Sequence, residues 1–280
     1  MRKKNALILI DVQYDFTNPN GALFVNGAVE DCQRTADFIL KNLNEIDYVA
    51  TTLDSHQVND IAHPSFWSDK DGKNPNPFTV ITAQNVRDGV WTPRFTTVNK
   101  ALEYLDALEK EGEFPHVIWP THCLIASEGH AIDATIFKAL VKYQQSGRAC
   151  QFVTKGTHPM TEHFGAFMAQ VPIPGRPETE LNMGLLKTLS EYENVYLAGQ
   201  AKSHCVATTL KQALKYLPEL AKKIIVLEDC MSNVAGGPAA GVTFAELAQP
   251  IYDDAKKAGV RFAVSTQVNL SQAVNNHSLV

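Results

Sequence analysis

The sequence lacks the features that would place it in a specialised structural class. Its five cysteines are odd in number and form no CxxC pair, which argues against a disulfide framework or a cysteine-rich zinc site. Its longest apolar runs, such as Ile224 to Leu227, have the length of a strand and are far too short to cross a membrane. We found no internal repeat and no low-complexity segment. These absences predict an ordinary globular protein.

An excess of positive charge is missing as well. The chain has 25 Lys and Arg against 30 Asp and Glu, a formal net charge of −5, and no basic stripe. A nucleic-acid partner is therefore not expected. The apolar run behind the first charged residues, Ala6 to Ile10, is too short for a signal peptide, and no small-residue cleavage site follows it. We therefore expect a cytoplasmic protein that binds no membrane.

What the chain does contain is an alternation of short apolar runs with amphipathic helical patterns. Strands are predicted at residues 6–10, 47–53, 116–119, 150–154, 195–199, 223–228 and 260–265. Apolar strands separated by helices are typical of a parallel sheet covered on both faces. We expect one α/β domain over residues 1–280. Its irregular insertion, Pro64 to Pro115, is rich in aromatic residues and is interpreted as a lid or an oligomer contact.

Reactive side chains follow the ends of several predicted strands. They are Asp11, Asp54, His122, Lys155 and Cys205. In an open parallel sheet the carboxyl ends of the strands form the ligand crevice. We therefore expect these side chains to meet at one edge of the sheet.

Cys205 has the strongest claim among the cysteines to be a nucleophile. It lies between a predicted strand and the start of a helix, whose amides would lower the thiol pKa and could hold an oxyanion. Asp11 and Lys155 follow apolar strands, where a charge is costly unless it has a partner. Taken singly, the three are also compatible with a packed cysteine, an ion-paired carboxylate and a solvated lysine. Together they would supply the nucleophile, base and electrostatic partner of covalent catalysis.

A second group has the composition of a metal site. Asp54 and His56 are two residues apart and so point to the same side of a strand, and His63 and His122 could join them. Imidazole with carboxylate suits zinc or iron, with positions left open for water or substrate. Packing or surface roles are expected for the other histidines, which are His116, His130, His158, His163, His204 and His277.

Five sequence pieces together resemble one enzyme family. They are residues 9–16 (LIDVQYDF), 54–56 (DSH) with 63–66 (HPSF), 119–123 (WPTHC), 155–156 (KG) with 164–167 (FGAF), and 199–206 (GQAKSHCV). In this order they are similar to the nicotinamidase and isochorismatase superfamily of cysteine hydrolases, and closest to its nicotinamidase (pyrazinamidase) branch. The resemblance implies a doubly wound three-layer α/β sandwich with a six-stranded, mainly parallel sheet.

The resemblance also implies the roles of particular residues. The catalytic triad would be Asp11, Lys155 and Cys205, with a cis peptide between Gln200 and Ala201 and with the amides of Ala201 and Cys205 facing an oxyanion. One divalent transition metal, zinc or iron, would be held by Asp54, His56 and His122, often with His63 as a fourth ligand. The aromatic residues that hold the substrate ring would be Phe16, Trp119 and Phe164. The substrate would be nicotinamide or a related small aromatic carboxamide.

Some positions depart from the family pattern. Ser55 replaces an aromatic residue, Lys202 and Ser203 replace Thr-Asp, and Phe164 replaces a more common Tyr. These changes leave the triad intact and bear on the substrate. The alternatives are a metal-free isochorismatase-type hydrolase of another small amide or an ether, and a non-catalytic protein that keeps the fold. We also expect the chain to form a homo-oligomer.

Overall fold

The structure is a computed structural model that describes residues 3–112 and 114–270, so His277 lies outside the described residues. Its strands in chain order are β1 (Asn5–Ile10), β2 (Ile46–Asp54), β3 (Trp67–Ser68), β4 (Thr92–Pro93), β5 (Cys150–Lys155), β6 (Asn194–Gly199), β7 (Ile224–Leu227) and β8 (Arg261–Ala263). Six of them form one parallel sheet in the spatial order β5-β2-β1-β6-β7-β8, and β3 pairs with β4 in a separate antiparallel ribbon.

Helices connect the strands. They are α1 (Tyr14–Thr17), α2 (Ala28–Lys41), α3 (Ala83–Arg87), α4 (Val98–Lys110), α5 (Ala134–Gln145), α6 (Met183–Ser190), α7 (Ala207–Tyr216), α8 (Pro218–Ala221) and α9 (Phe244–Lys257). Short 3₁₀ turns lie at Pro64–Phe66, Glu128–His130 and Ser265–Gln267, and a π-helical turn lies at Lys202–Val206. No described helix is long and apolar enough to pass through a membrane.

Side-chain caps define where several helices begin. The Asp133 carboxylate accepts the first free N–H groups of α5, and the Asn182 side chain does the same for α6. At the start of α9, Thr243 and Glu246 bond reciprocally to each other's backbone N–H groups. These polar groups satisfy donors that a helix leaves unpaired at its first turn.

The sheet is buried on both faces, as its continuous apolar strands predict. On one face Leu7 and Leu9 of β1 pack against α2 and α5. On the other face Ala6, Ile8 and Ile10 pack against α6, α7 and α9. The alternation along β1 follows from the two-residue period of a strand. The predicted doubly wound three-layer sandwich with a six-stranded parallel sheet is confirmed.

The strand predicted at residues 116–119 is wrong. Only Val117 makes an isolated bridge there, to Val80 of the insertion, and β5 occupies the sheet position beside β2. Val117 and Ile118 are only 4% and 0% exposed. They pack inside the molecule without joining the sheet. An apolar run of this length does not distinguish the two situations.

The segment from 64 to 115 is folded and has its own small core. Phe66, Trp67, Ile81 and Leu105 are buried within it, together with neighbouring apolar residues of α3 and α4. Its roles as a lid or an oligomer contact stay predictions.

Gly199 is expected to be intolerant of any side chain. It has φ of 125°, and a Cβ there would lie 2.1 Å from the backbone oxygen of Ile10 on the neighbouring strand. Gly147→Ala is the matched control, since Gly147 has φ of 86° but nothing within 4 Å of a Cβ. Gly147→Ala should cost about 1–2 kcal/mol of unfolding free energy, from backbone strain alone. Gly199→Ala should cost about 3 kcal/mol or more, because a clash is added. Denaturant unfolding measures both; equal costs would contradict the packing described for β1 and β6.

Candidate active site

The sheet topology brings one end of β1 and the turn after β6 together. The two strands are neighbours, but β1 continues through α2 on one face and β6 continues through α7 on the other. Such a switch point leaves a crevice at the carboxyl ends of the strands. Asp11 follows β1, and Cys205 lies in the π-helical turn after β6. The two side chains are within hydrogen-bonding reach of each other.

Lys155 is the centre of this crevice. Its side chain is only 2% exposed, and its ammonium nitrogen lies 2.9 Å from Asp11 Oδ2 and 3.1 Å from Asp54 Oδ1. The ammonium also donates to the His163 carbonyl at 2.6 Å and lies 3.9 Å from Cys205 Sγ. Burial disfavours the charged lysine, but the two carboxylates outweigh it and hold its pKa well above the usual value.

Asp11 is fully buried and firmly oriented. The Thr52 hydroxyl donates to Asp11 Oδ1 at 2.6 Å and accepts the Asp11 backbone N–H at 3.0 Å. Asp11 also adopts a left-handed backbone with φ of 46°, which non-glycine residues seldom occupy. Burial raises the pKa of its carboxyl, Lys155 opposes this, and Asp54 adds to it. A carboxylate whose pKa is raised accepts a proton more readily than one with the usual pKa.

The pKa of Cys205 differs from the sequence-based expectation. Burial raises the pKa of its thiol well above the usual value, although the nearby Lys155 acts in the opposite direction. Its side chain is enclosed, and the residue is only 6% exposed. The protonated thiol is therefore the favoured form at rest. The position of Cys205 before a helix was evident from the sequence, but the degree of burial was not.

Four predicted metal-binding residues converge beside the triad. The nitrogen donors of His56, His63 and His122 lie within 4.8 Å of one another, and all three residues are buried. Asp54 Oδ2 is 3.0 Å from His56 Nε2 and 3.5 Å from His122 Nε2. The geometry therefore brings together the oxygen and nitrogen ligands that the sequence predicted.

The outer nitrogen of each histidine faces an acceptor. Nδ1 of His56 lies 3.0 Å from an Asp60 carboxylate oxygen, and Nδ1 of His122 lies 2.8 Å from the Pro120 carbonyl. Nδ1 of His63 lies 3.1 Å from the Gln57 carbonyl. Such partners orient metal-binding imidazoles and leave Nε2 free to ligate. The set fits a divalent cation.

The predicted substrate-binding aromatics lie around Cys205. Phe16, Trp119 and Phe164 line one narrow pocket together with Cys205 and His122. The rings of Trp119 and Phe164 meet edge to face with centroids 6.4 Å apart, and Phe16 meets His122 in the same way at 5.4 Å. The pocket lining therefore combines aromatic rings with two residues of the metal-type group, Asp54 and His122.

His204 has a larger part in the site than the sequence suggested. Its ring packs between Trp119, Phe164 and Phe244, with centroids 5.1, 5.3 and 4.7 Å away, and it lines the same pocket. Burial lowers the pKa of its imidazole to about 3, so the ring is neutral at physiological pH. Packing was the expected role, and the structure adds a place in the pocket wall.

Sequence reasoning missed two further residues. Glu162 lines the pocket at 4% exposure, and burial raises the pKa of its carboxyl to about 7. Asp60 orients His56 as described above. Glu162 lies between Thr161 and His163, and Asp60 lies between Asn59 and Ile61. Neither follows an apolar run or belongs to a recognisable motif, so the sequence offered no signal for them without the fold.

The remaining described histidines lie outside the metal-type cluster. His116 Nε2 lies 3.1 Å from the Ile61 carbonyl, and burial lowers the pKa of this residue to about 4. His130 Nε2 lies 2.8 Å from the Ser55 hydroxyl, and His158 is partly exposed. His163 contributes its carbonyl to Lys155, while its ring is buried and neutral, with a pKa lowered to about 3.

The fold, a six-stranded parallel sheet with helices on both faces, is the isochorismatase-like α/β fold of solved nicotinamidase structures. The chain is 26% identical to the nicotinamidase of Saccharomyces cerevisiae over 233 residues, which cover 83% of this chain and 89% of that protein. The crystal structure of the yeast nicotinamidase bound to the inhibitor nicotinaldehyde is similar with a TM-score of 0.63 at 20% identity, covering 93% of this chain and 99% of the other. No family model matches.

Two prokaryotic structures are also similar. The Acinetobacter baumanii nicotinamidase and pyrazinamidase has a TM-score of 0.61 at 20% identity, covering 95% and 98% of the two chains. The Pyrococcus horikoshii pyrazinamidase in complex with zinc has a TM-score of 0.50 at 17% identity, covering 93% and 99%. The predicted resemblance to the nicotinamidase branch of these cysteine hydrolases is confirmed.

Removal of the Lys155 charge should destabilise the protein strongly. Lys155→Met would leave the buried carboxylates of Asp11 and Asp54 facing each other without a cation, at a cost of about 3–5 kcal/mol at neutral pH. The cost should shrink as the pH falls, because protonation removes the repulsion between the carboxylates. Urea unfolding between pH 7 and pH 4, with a chelator present, measures this. Lys257→Met on the surface of α9 is the control and should leave stability unchanged; an equally small effect of Lys155→Met would contradict the buried ion pairs.

Proposed function

We propose that this protein is a metal-dependent amidase that hydrolyses nicotinamide or a related small aromatic carboxamide to the acid and ammonia. The observation that carries the proposal is one pocket in which Cys205, the aromatic residues Trp119 and Phe164, and His122 of the metal-type cluster share the lining. A flat ring fits between aromatic walls, while its carboxamide faces the thiol. The similarity to nicotinamidases supports the same substrate class.

The proposed catalysis begins with a proton transfer. Asp11 accepts the proton of the Cys205 thiol while the sulfur attacks the carboxamide carbon. Ala201 and Cys205 line the same pocket. Their backbone N–H groups would stabilise the oxyanion that forms. Asp11 then gives the proton to the departing ammonia as the C–N bond breaks, and a thioester remains. Water attacks the thioester, Asp11 takes the proton of that water, and the acid leaves with the thiol restored.

Lys155 controls the charge state of this base. It stabilises the ionised carboxylate at 2.9 Å, and the thiolate developing 3.9 Å away gains from the same ammonium. Because burial raises the pKa of Asp11, its carboxylate is also a stronger base than an exposed one. The contact with Lys155 thus keeps the Asp11 carboxylate ionised, while burial keeps it ready to accept a proton.

The residues that would hold the metal are Asp54, His56 and His122, with His63 as the fourth. A zinc or iron ion held there would supply Lewis acidity toward a ring nitrogen, which would orient the ring. Asp54 and Asp60 flank His56 and raise its pKa well above the usual value despite its burial, so this part of the site favours positive charge. A divalent cation would supply that positive charge.

The insertion from 64 to 115 contributes to the proposed substrate wall. Phe114 lies 6.1 Å from the Phe164 ring and 5.2 Å from the His204 ring, and Phe78 lies 6.0 Å from the Trp119 ring. These contacts support a lid that helps to enclose the pocket. A shorter loop would leave this side of the aromatic cluster open to water.

Purified protein should contain about one transition metal per chain, provided that no immobilised-metal resin was used. His56→Ala should bind close to none, because a central ligand is lost. His116→Gln is the control, since His116 is equally buried but lies outside the cluster; its metal content should equal that of the wild type. Elemental analysis of all three samples gives the answer. Unchanged stoichiometry in His56→Ala would rule out these ligands.

Nicotinamide should be turned over with kcat/KM of about 10⁴ M⁻¹s⁻¹ or more, as is usual for an enzyme on its own substrate. Trp119→Ala should lower this value mainly through KM, because ring contacts bind the ground state and the transition state alike. Ammonia release measures both quantities across a panel of aromatic and aliphatic amides.

Cys205→Ala and Cys123→Ala give the matched pair for this assay. The first should abolish turnover and keep the fold, whereas the second removes a buried thiol outside the triad and should leave turnover within a few-fold of wild type. Trace activity on nicotinamide beside efficient turnover of a non-aromatic amide would favour the metal-free alternative. Activity in Cys205→Ala would remove the triad assignment.

A further inference from the structure

The backbone that carries Ala201 is held by an unusual number of anchors. Gln200, which precedes it, is only 1% exposed. Its backbone N–H donates to the Ile10 carbonyl at 2.8 Å, one residue before Asp11. Its side-chain Nε2 donates to Asp31 Oδ2 at 2.9 Å, and its Oε1 accepts the Ser232 N–H at 3.2 Å. The residue is thus tied to β1, to α2 and to the loop after β7.

Asp31 is the least expected of these anchors. It lies in the first turn of α2, is 2% exposed, and touches none of the proposed catalytic groups. A carboxylate in the first turn of a helix interacts favourably with the helix dipole even when it is exposed to solvent. Burying it costs free energy unless both of its oxygens have hydrogen-bond partners. Both oxygens are paired here, Oδ2 with Gln200 and Oδ1 with Arg34 at 2.6 Å.

Arg34 extends the same chain of contacts across the sheet edge. Its Nε donates to the Asp229 carbonyl in the loop after β7, and the Asp229 carboxylate accepts from the backbone and hydroxyl of Ser265 at 2.7 and 2.6 Å. The Lys202 N–H adds a bond to the Ser232 carbonyl at 2.8 Å. The segment from 200 to 202 is therefore held on both sides by groups that do not touch the pocket.

We propose that Asp31 and Gln200 are positioning residues that hold the Ala201 amide, and with it the turn carrying Cys205, against the tetrahedral oxyanion. This inference rests on the proposed amidase function. The bound substrate needs little from these amides, whereas the tetrahedral state needs them aligned. Loss of the Asp31–Gln200 bond therefore lowers kcat and leaves the affinity for planar ligands unchanged.

The test compares a tetrahedral ligand with a planar one. Nicotinaldehyde, the inhibitor bound to the yeast nicotinamidase, can form a bond between its aldehyde carbon and a thiol sulfur. The carbonyl π electrons then move to oxygen, which needs the oxyanion donors, and Asp11 takes the thiol proton. Nicotinate is a planar acid that forms no bond to the thiol and therefore no tetrahedral oxyanion. The variants are Gln200→Met, which keeps the length of the side chain, Asp31→Ala, and the double variant.

Both single variants should lower kcat for nicotinamide by about 10–100-fold, the range produced by a misplacement of about 1 Å. They should raise the inhibition constant of nicotinaldehyde by a similar factor, while KM and the dissociation constant of nicotinate change by less than about threefold. The double variant should be no worse than the poorer single variant, because both substitutions break one link. Asp31→Asn, which keeps one acceptor, should lose less than Asp31→Ala and serves if the latter does not fold.

Thr35→Ala is the matched control. Thr35 is buried on the same helix, its hydroxyl donates to the Asp31 carbonyl at 2.8 Å, and it makes no bond to Gln200. It should lose stability without a change in the ratio of nicotinaldehyde to nicotinate affinity. Three results would each overturn this inference and leave the proposed function standing. They are wild-type kinetics in Gln200→Met, an equal loss of affinity for nicotinaldehyde and nicotinate, and additive losses of kcat in the double variant. A wild type inactive on every amide of the panel would overturn the proposed function and this inference together.

Discussion

The buried ammonium group of Lys155 is the interaction on which the rest of the site depends. Two carboxylates, Asp11 and Asp54, lie within 3.1 Å of it, and the three groups share almost no contact with solvent. Each of these charges alone would be prohibitive in an apolar interior, and each is tolerated because the others are present. Lys155 also joins the two halves of the site, since Asp11 lies beside Cys205 and Asp54 lies beside the histidine cluster. A change in one half therefore alters the charge balance of the other.

The sheet register explains why these groups meet. Asp54 and Lys155 are paired across β2 and β5 as the last residues of both strands, and Ile10 is paired with Gly199 across β1 and β6. All these strands run in the same direction, so their reactive ends arrive at one edge. The switch between β1 and β6 then opens a crevice where Cys205 can approach Asp11. Strand order thus brings together Asp11, Lys155 and Cys205, the three residues proposed as the catalytic triad.

Much of this arrangement could be predicted from apolar runs that end in a reactive residue. That reasoning succeeded for Asp11, Asp54 and Lys155, where a strand does end. It reached His122 for the wrong reason, because no strand precedes that residue. The backbone after His122 is held by a bond from the Cys123 N–H to the Asp15 carboxylate at 2.7 Å, a contact between residues 108 positions apart. Periodicity within one segment carries no information about such a contact.

The same limit applies to electrostatics. The sequence shows a cysteine at the start of a helix and a lysine nearby, and both features lower a thiol pKa. The structure adds complete burial, which acts in the opposite direction and prevails. Burial depends on what the whole chain packs over the turn, including Phe114 and Phe244 from distant parts of the sequence. Charge type can be read from local sequence, but the dielectric environment is a property of the fold.

The raised pKa values of Asp11 and Cys205 have a common consequence for the proposed reaction. Burial disfavours a resting thiolate, so the reactive anion is not exposed to oxidants or to adventitious electrophiles between turnovers. In the proposed reaction, negative charge develops on the carbonyl oxygen as the sulfur attacks, and the backbone amides of Ala201 and Cys205 would receive it. The proton meanwhile moves only to the adjacent Asp11, beside the fixed charge of Lys155. Ionisation of the Cys205 thiol is thus costly in the empty pocket. In the proposed reaction it becomes favourable only in the transition state, where Lys155 and the backbone amides would compensate the developing charge.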